Sequence, residues 1–231
     1  MKKILVLLIT ASLFVACNKL DENEFIVSGT VEGIADGKLA ILETLDENGM
    51  GVKPTDTAII MNGKFEFKGT TNEPELRFIQ IDSVQGKLVF VLENGEINIK
   101  AFKDSINKSI IGGSYNNEQF AIYNKDQNAI QKKIADFRTL NKEKMELAMQ
   151  TNDSMTMNSL RDNFVKLNDE LKDYNIKFAE SNPKAFISVL MIQNMLMQPD
   201  ADFEKLQKTF NNLDKSVKDT KPGKRVGELI S

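Results

Sequence analysis

From Phe25 to Ile111 apolar residues recur either at every second position or in short unbroken runs. Phe25, Val27, Gly29 and Val31 alternate with Ser28, Thr30 and Glu32, Phe65 and Phe67 with Glu66 and Lys68, and Ile97 and Ile99 with Asn98 and Lys100. A strand turns successive side chains to opposite faces, so this period predicts strands with one face buried. Leu39 to Leu42, Leu76 to Ile81 and Leu88 to Leu92 are more continuously apolar, as central strands covered on both faces are. Gly33 to Lys38, Asp46 to Gly51, Asn62-Gly63 and Asn94-Gly95 supply the turns, the two Asn-Gly pairs being the strongest hairpin signals. About eight short strands at this spacing predict an antiparallel β-sandwich or open barrel over 25–114.

Beyond Gly112-Gly113-Ser114 the period changes to three and four. Phe120, Tyr123, Ile130, Ile134, Phe137, Leu140 and Leu147 form one stripe, interrupted at Gln127 and Lys144. Met157, Leu160, Phe164, Leu167, Leu171, Tyr174 and Phe178 form a second and cleaner one. Thr151-Asn152-Asp153-Ser154, a cluster of cap and turn residues, separates them and predicts a long αα-hairpin over 116–179. Such a hairpin is either packed as ordinary core or offered as a coiled-coil dimerisation or docking arm. A third helix over 183–197 is predicted with Asn182 or Ser181 as cap and Pro183 at its first position, where a missing N–H costs nothing. Met191, Met195 and Met197 either bury it or line an adaptable groove. A fourth helix over 201–219 is expected to bury Phe203, Leu206, Phe210, Leu213 and Val217 and to end at Lys221-Pro222-Gly223, with Val226 to Ile230 making one more apolar turn. The fold class is α+β, a β domain at 25–114 followed by a helical region at 115–231.

The N-terminus carries a different pattern. Lys2 and Lys3 precede an apolar run from Ile4 to Ala16, and Leu13-Phe14-Val15-Ala16 leads directly to Cys17. Crossing a bilayer takes about 20 apolar residues, and this run has the shorter length of a signal-peptide core. Residues 1–16 resemble a bacterial lipoprotein signal peptide, which makes Cys17 the lipid-modified first residue of the mature chain. Phe14 stands where that motif prefers Leu. Residues 17–24 read as a polar tether, or, through Lys19, Asp21 and Glu22, as a charged surface-export address.

Composition removes most familiar chemistry. The 231 residues contain no histidine and only one cysteine, so a Ser-His-Asp triad, a histidine-ligated zinc site, a disulfide and a C-x-x-C pair all lack their parts. Carboxylate, lysine, tyrosine and serine chemistry remain, and no spacing singles out a catalytic residue, a cofactor or a metal site. The formal net charge of −3, with Lys and Arg dispersed along the chain, gives no electrostatic footprint for nucleic acid. The expectation is a non-enzyme.

Phe25 to Val31, Thr55-Asp56-Thr57, Gly63 to Gly69, Leu92 to Ile99 and Gly113-Ser114-Tyr115-Asn116-Asn117 together resemble a domain of unknown function that precedes thioredoxin-like domains in lipoproteins of Gram-negative bacteria. The resemblance covers roughly residues 25–125, and the helical region resembles the connector that leads into the thioredoxin-like fold. It implies an outer-membrane location, facing periplasm or cell surface, with the membrane as partner through Cys17. No C-x-x-C occurs in these residues, so the relatives' disulfide chemistry is carried by none of them. The expected function is a membrane-anchored, non-catalytic binding or scaffold module. The alternative is an accessory or truncated relative of a thioredoxin-like thiol-disulfide oxidoreductase, docking a separate enzyme near Val226 to Ile230.

Overall fold

The computed structural model describes residues 20–46 and 51–231. Cys17, the leader 1–16, the first part of the tether and most of the Asp46 to Gly51 turn lie outside the described residues. Among the described residues eight strands form: β1 (Glu24–Val31), β2 (Leu39–Leu45), β3 (Val52–Ile59), β4 (Lys64–Thr70), β5 (Glu75–Ile81), β6 (Leu88–Leu92), β7 (Gly95–Ala101) and β8 (Ile110–Gly112). They make two four-stranded sheets, ordered β4-β1-β7-β8 and β3-β2-β5-β6. Between the sheets lies one core, with Val27, Phe67 and Ile97 from the first and Leu42, Ile79 and Phe90 from the second. Gly29 is required there, because a Cβ would sit 2.0 Å from the ring of Phe65, its cross-strand partner on β4.

The sandwich is not wholly antiparallel. β1 and β7 pair in parallel, from Phe25 opposite Gly95 to Val31 opposite Ala101. Alternation specifies which face of a strand is buried and carries no information on the direction of its neighbour. Neither Asn-Gly pair closes an ordinary hairpin. Asn62 (φ 51°) and Gly63 (φ 67°) do make a tight turn, closed by a bridge between Met61 and Lys64. The strands it joins, β3 and β4, then part into different sheets. Asn94-Gly95 likewise carries the chain between sheets, from β6 to β7, and the Asn94 side chain donates to the Glu22 carbonyl at 2.8 Å.

Six helices follow: α1 (Tyr115–Gln150), α2 (Ser154–Ser181), α3 (Phe186–Leu196), α4 (Phe203–Asn211), α5 (Lys215–Lys218) and α6 (Lys221–Leu229). Their core joins Phe178, Phe186, Ile192, Leu206, Phe210 and Val226, and it also takes in Val91 and Leu76 from the outer face of the second sheet. The sandwich therefore gains a third, helical layer. This explains why β6 is almost fully buried although it is an edge strand.

Three helix boundaries differ from expectation. α3 begins at Phe186, not Pro183. Asn182 is spent closing α2, its side chain donating to the Phe178 carbonyl at 2.9 Å. The predicted helix over 201–219 breaks into α4 and α5 at Asn212 to Asp214, where the Asp214 carboxylate accepts from the Ser216 N–H at 2.9 Å and starts a new turn. Phe203, expected in the core, is 55% exposed. Lys221-Pro222-Gly223 opens α6 and does not end α4, with Thr220 capping it and the Glu73 carboxylate accepting from the Lys221 N–H at 2.7 Å. Proline stops a helix from within and is tolerated in its first turn, so Pro222 alone did not distinguish the two.

Candidate functional site

The segment from Ser114 to Asn117 joins the two halves of the molecule. β6, at the edge of its sheet, presents the Val91 N–H and C=O outward, and a buried edge must find partners for such groups. Asn117, 1% exposed, supplies them: its Oδ1 accepts from the Val91 N–H at 2.9 Å, and its Nδ2 donates to the Val91 carbonyl at 2.7 Å and to Ser114 Oγ at 2.9 Å. One carboxamide thus stands in for a neighbouring strand. Asn116 works in the other direction. Its Oδ1 accepts from the Phe186 N–H at 2.7 Å, capping α3, while its own N–H and Nδ2 donate to the two Glu93 carboxylate oxygens at 3.1 and 2.7 Å. The Glu93 carboxylate also sits where the positive end of the α1 dipole favours an anion.

One turn further along, α1 and the sandwich separate to leave a cleft of about 390 Å³. Asn117, Ala121, Asn124 and Asn128 fall at helical spacing on the α1 side. Leu88 and Val89 of β6, Ile106 and Asn107 between β7 and β8, and Ile111 of β8 line its other sides, with Phe120 also in the lining. Lys87 and Lys125 are the charged residues of its lining. Lys87 is paired with the Glu43 carboxylate at 2.5 Å, whereas the side chains of Lys125, Asn107, Asn124 and Asn128 have no hydrogen-bond or ion-pair partner among the described residues. A broader hollow of about 1010 Å³ lies over the outer face of the first sheet, lined by Ser28, Thr30, Lys64, Glu66, Asn98 and Lys100 among others. That surface is a strand face with charges of both signs, while the cleft has walls of sheet, loop and helix and a floor of apolar residues.

Residues 25–120 match the family model described as Domain of unknown function (DUF4369). The match runs past β8 and ends within the first turns of α1, so the matched stretch includes both asparagines of the joint. No curated protein and no solved structure shows a significant match.

After the matched stretch the chain continues into an arm. At its base Tyr123, Tyr174 and Phe178 cluster, with Tyr123 edge-on to Phe178 at 5.3 Å and stacked on Tyr174 at 5.9 Å. The Tyr123 hydroxyl donates to Asn175 Oδ1 at 3.2 Å and accepts from Gln127 Nε2 at 2.7 Å. Burial pushes the Tyr123 hydroxyl up to about 12, and burial together with the Asp126 carboxylate does the same for Tyr174. Both phenols are held protonated at neutral pH, so neither supplies a base there. Further out, past the ion pairs of Lys172 with Asp200 and of Asp173 with Lys205 on α4, α1 and α2 pack on each other. Ile130, Ile134, Ala148 and Leu160 are buried yet belong to neither core, and the Arg138 guanidinium lies over the Phe164 ring at 4.7 Å. From Ile130 to Gln150 the arm extends about 30 Å at 1.5 Å per residue. Leu140, Leu147, Met149 and Met155 are exposed along it and at its tip.

Other residues singled out in the sequence occupy less promising places. Cys17, the lipid-attachment candidate, lies outside the described residues. Met191 and Met195 are buried in the helical core and Met197 is exposed, so the three line no common groove. Val226 is fully buried in the same core, with Ile230 packed against it, which leaves Leu229 as the exposed apolar residue of that turn. Among the described residues no helix is long and apolar enough to cross a membrane. The cleft was missed in the sequence, although it had a signal: asparagine is a poor helix former, and Asn117, Asn124 and Asn128 recur on one face of α1.

Proposed function

We propose that the chain is a lipoprotein of the cell envelope, anchored through Cys17 to the outer membrane with its domain facing periplasm or cell surface, and that it works as a non-catalytic binding or scaffold module. The anchoring part is supported by the leader, with Lys2 and Lys3, the apolar run from Ile4 to Ala16, and the cysteine directly after it. The observation that carries the binding part is the arm. A two-helix projection that leaves Leu140, Leu147, Met149 and Met155 in solvent adds little to the stability of the body and offers apolar surface at a distance from it.

Two measurements on cells test this reading. The wild-type chain should incorporate labelled palmitate and fractionate with membranes, and Cys17→Ser should abolish the label and release or trap the precursor. Several acyl chains at about 0.8 kcal/mol per buried methylene hold a protein firmly, so the contrast should be large. Equal membrane association of the unlabelled variant would sink the anchor. Affinity capture from solubilised membranes should then recover a partner that is lost with Leu140→Lys and Met155→Lys. Recovery of a C-x-x-C protein by both forms would favour the accessory-oxidoreductase alternative.

A further inference from the structure

We propose that the cleft between β6, the 104–109 loop and the first turns of α1 is a binding site for a small monocarboxylate with an apolar tail. The inference deepens the binding-module reading and rests on it.

Three observations converge on this site. Its volume, about 390 Å³, lies within the range of ligand pockets, roughly 300–1,000 Å³, and its walls pair an apolar floor with a few polar groups, the usual make-up of such pockets. Asn158 and Asn175 apart, its asparagines also differ from those further along α1 and α2. Asn141, Asn163, Asn168 and Asn182 each donate back to the carbonyl four residues earlier, at 2.7 to 2.9 Å. The same bond is open to Asn124 and Asn128 on α1, and neither makes it, leaving their amides at the cleft. The charge around the cleft has one sign. Lys87 is neutralised by Glu43, Lys125 has no partner among the described residues, and no Asp or Glu is in the lining.

A carboxylate fits that set. Lys125 supplies the counter-charge, and the Asn124, Asn128 and Asn107 amides supply N–H donors, a combination that gives charge-assisted bonds stronger than neutral ones. Leu88, Val89 and Ile106 would then cover a short hydrocarbon chain. An ammonium ligand would face Lys125 with no acid to hold it. A neutral alcohol would use the amides and leave the lysine idle.

The test is calorimetric titration of hexanoate into the full chain carried in nanodiscs of zwitterionic lipid, with empty nanodiscs subtracted and 1-hexanol and hexylammonium as companions. Hexanoate should bind saturably and hexylammonium should not, with 1-hexanol at least about tenfold weaker. Lys125→Glu should weaken hexanoate by about tenfold or more, the loss of one charge-assisted contact. Ala121→Trp, which fills the cleft from an exposed helical position, should abolish binding with an unchanged melting temperature. No heat above empty nanodiscs, hexanol binding as tightly as hexanoate, or both variants binding like wild type would each overturn the proposal. Any of these would leave the Cys17→Ser fractionation unaffected, so the two readings fail separately.

Discussion

Ile192 and Phe164 both come from apolar stripes on amphipathic helices, yet Ile192 is fully buried in the helical core while Phe164 is only half-buried on the arm. The difference lies in the number of neighbours. α3 packs against α2, α4 and α6 and shares a core that reaches the outer face of the sandwich, so residues all round it are covered. Past Lys172 and Asp173, which still pair with Asp200 and Lys205, each arm helix has one neighbour, and one neighbour covers one narrow stripe. A clean three-four spacing therefore reports a face and does not count the partners that will cover it. The same contrast holds for polar groups: at the joint Asn117 satisfies three hydrogen bonds in a nearly solvent-free place, whereas the polar groups of the arm are mostly exposed.

Breaking the joint should have the largest effect. Asn117→Leu strands the Val91 N–H and C=O beneath the helices, and at about 1–3 kcal/mol for each buried unsatisfied group the loss should be about 4 kcal/mol in chemical denaturation. A loss below about 1 kcal/mol would mean that water or a shifted strand replaces the carboxamide. Next come matched truncations across the two regions. Ile192→Ala should cost about 2–5 kcal/mol, as buried large-to-small changes do, whereas Leu167→Ala, half-buried on α2, should cost about 1 kcal/mol. Equal costs would mean that the arm is covered in solution, for example by a second copy.

A pH series sharpens the boundary between the regions. The folded Tyr123 holds its proton up to about 12, against the ordinary 10.0 of an unfolded tyrosine, and Tyr174 does likewise. Between those values the folded state binds protons that the unfolded state has released, so their stabilisation is complete below pH 10 and is lost as pH rises toward 12. Circular dichroism melts at increasing pH should show that fall, with a shallower slope for Tyr123→Phe. Amide exchange under the same conditions should show the arm opening before α3. Leu140→Lys and Met155→Lys should have the smallest effect, leaving the melting free energy within about 0.5 kcal/mol of wild type, because both side chains are already in solvent. A larger loss would show that the tip is packed.

The β-to-α switch at Gly113, the two long helices and the strands with Phe65-x-Phe67 or Ile97-x-Ile99 alternation are legible along the chain, because period and burial are local properties of a backbone that repeats every two or 3.6 residues. The α+β class follows from them. The missing histidines and the lone Cys17 are equally local and bear on chemistry without any fold. Tertiary structure decided what depends on residues far apart. It paired β7 in parallel with β1, 70 positions away in register, and took the cap of α3 from Asn116 of α1, where a local reading looks to Asn182. It also turned Pro222 from a stop into the first turn of α6, because Thr220 and Glu73 met there to receive the free N–H groups. The cleft is of this second kind. Asn124 and Asn128 are visible as an oddity of one helix, and only the packing of that helix against β6 and β8 gives the oddity a cavity to face.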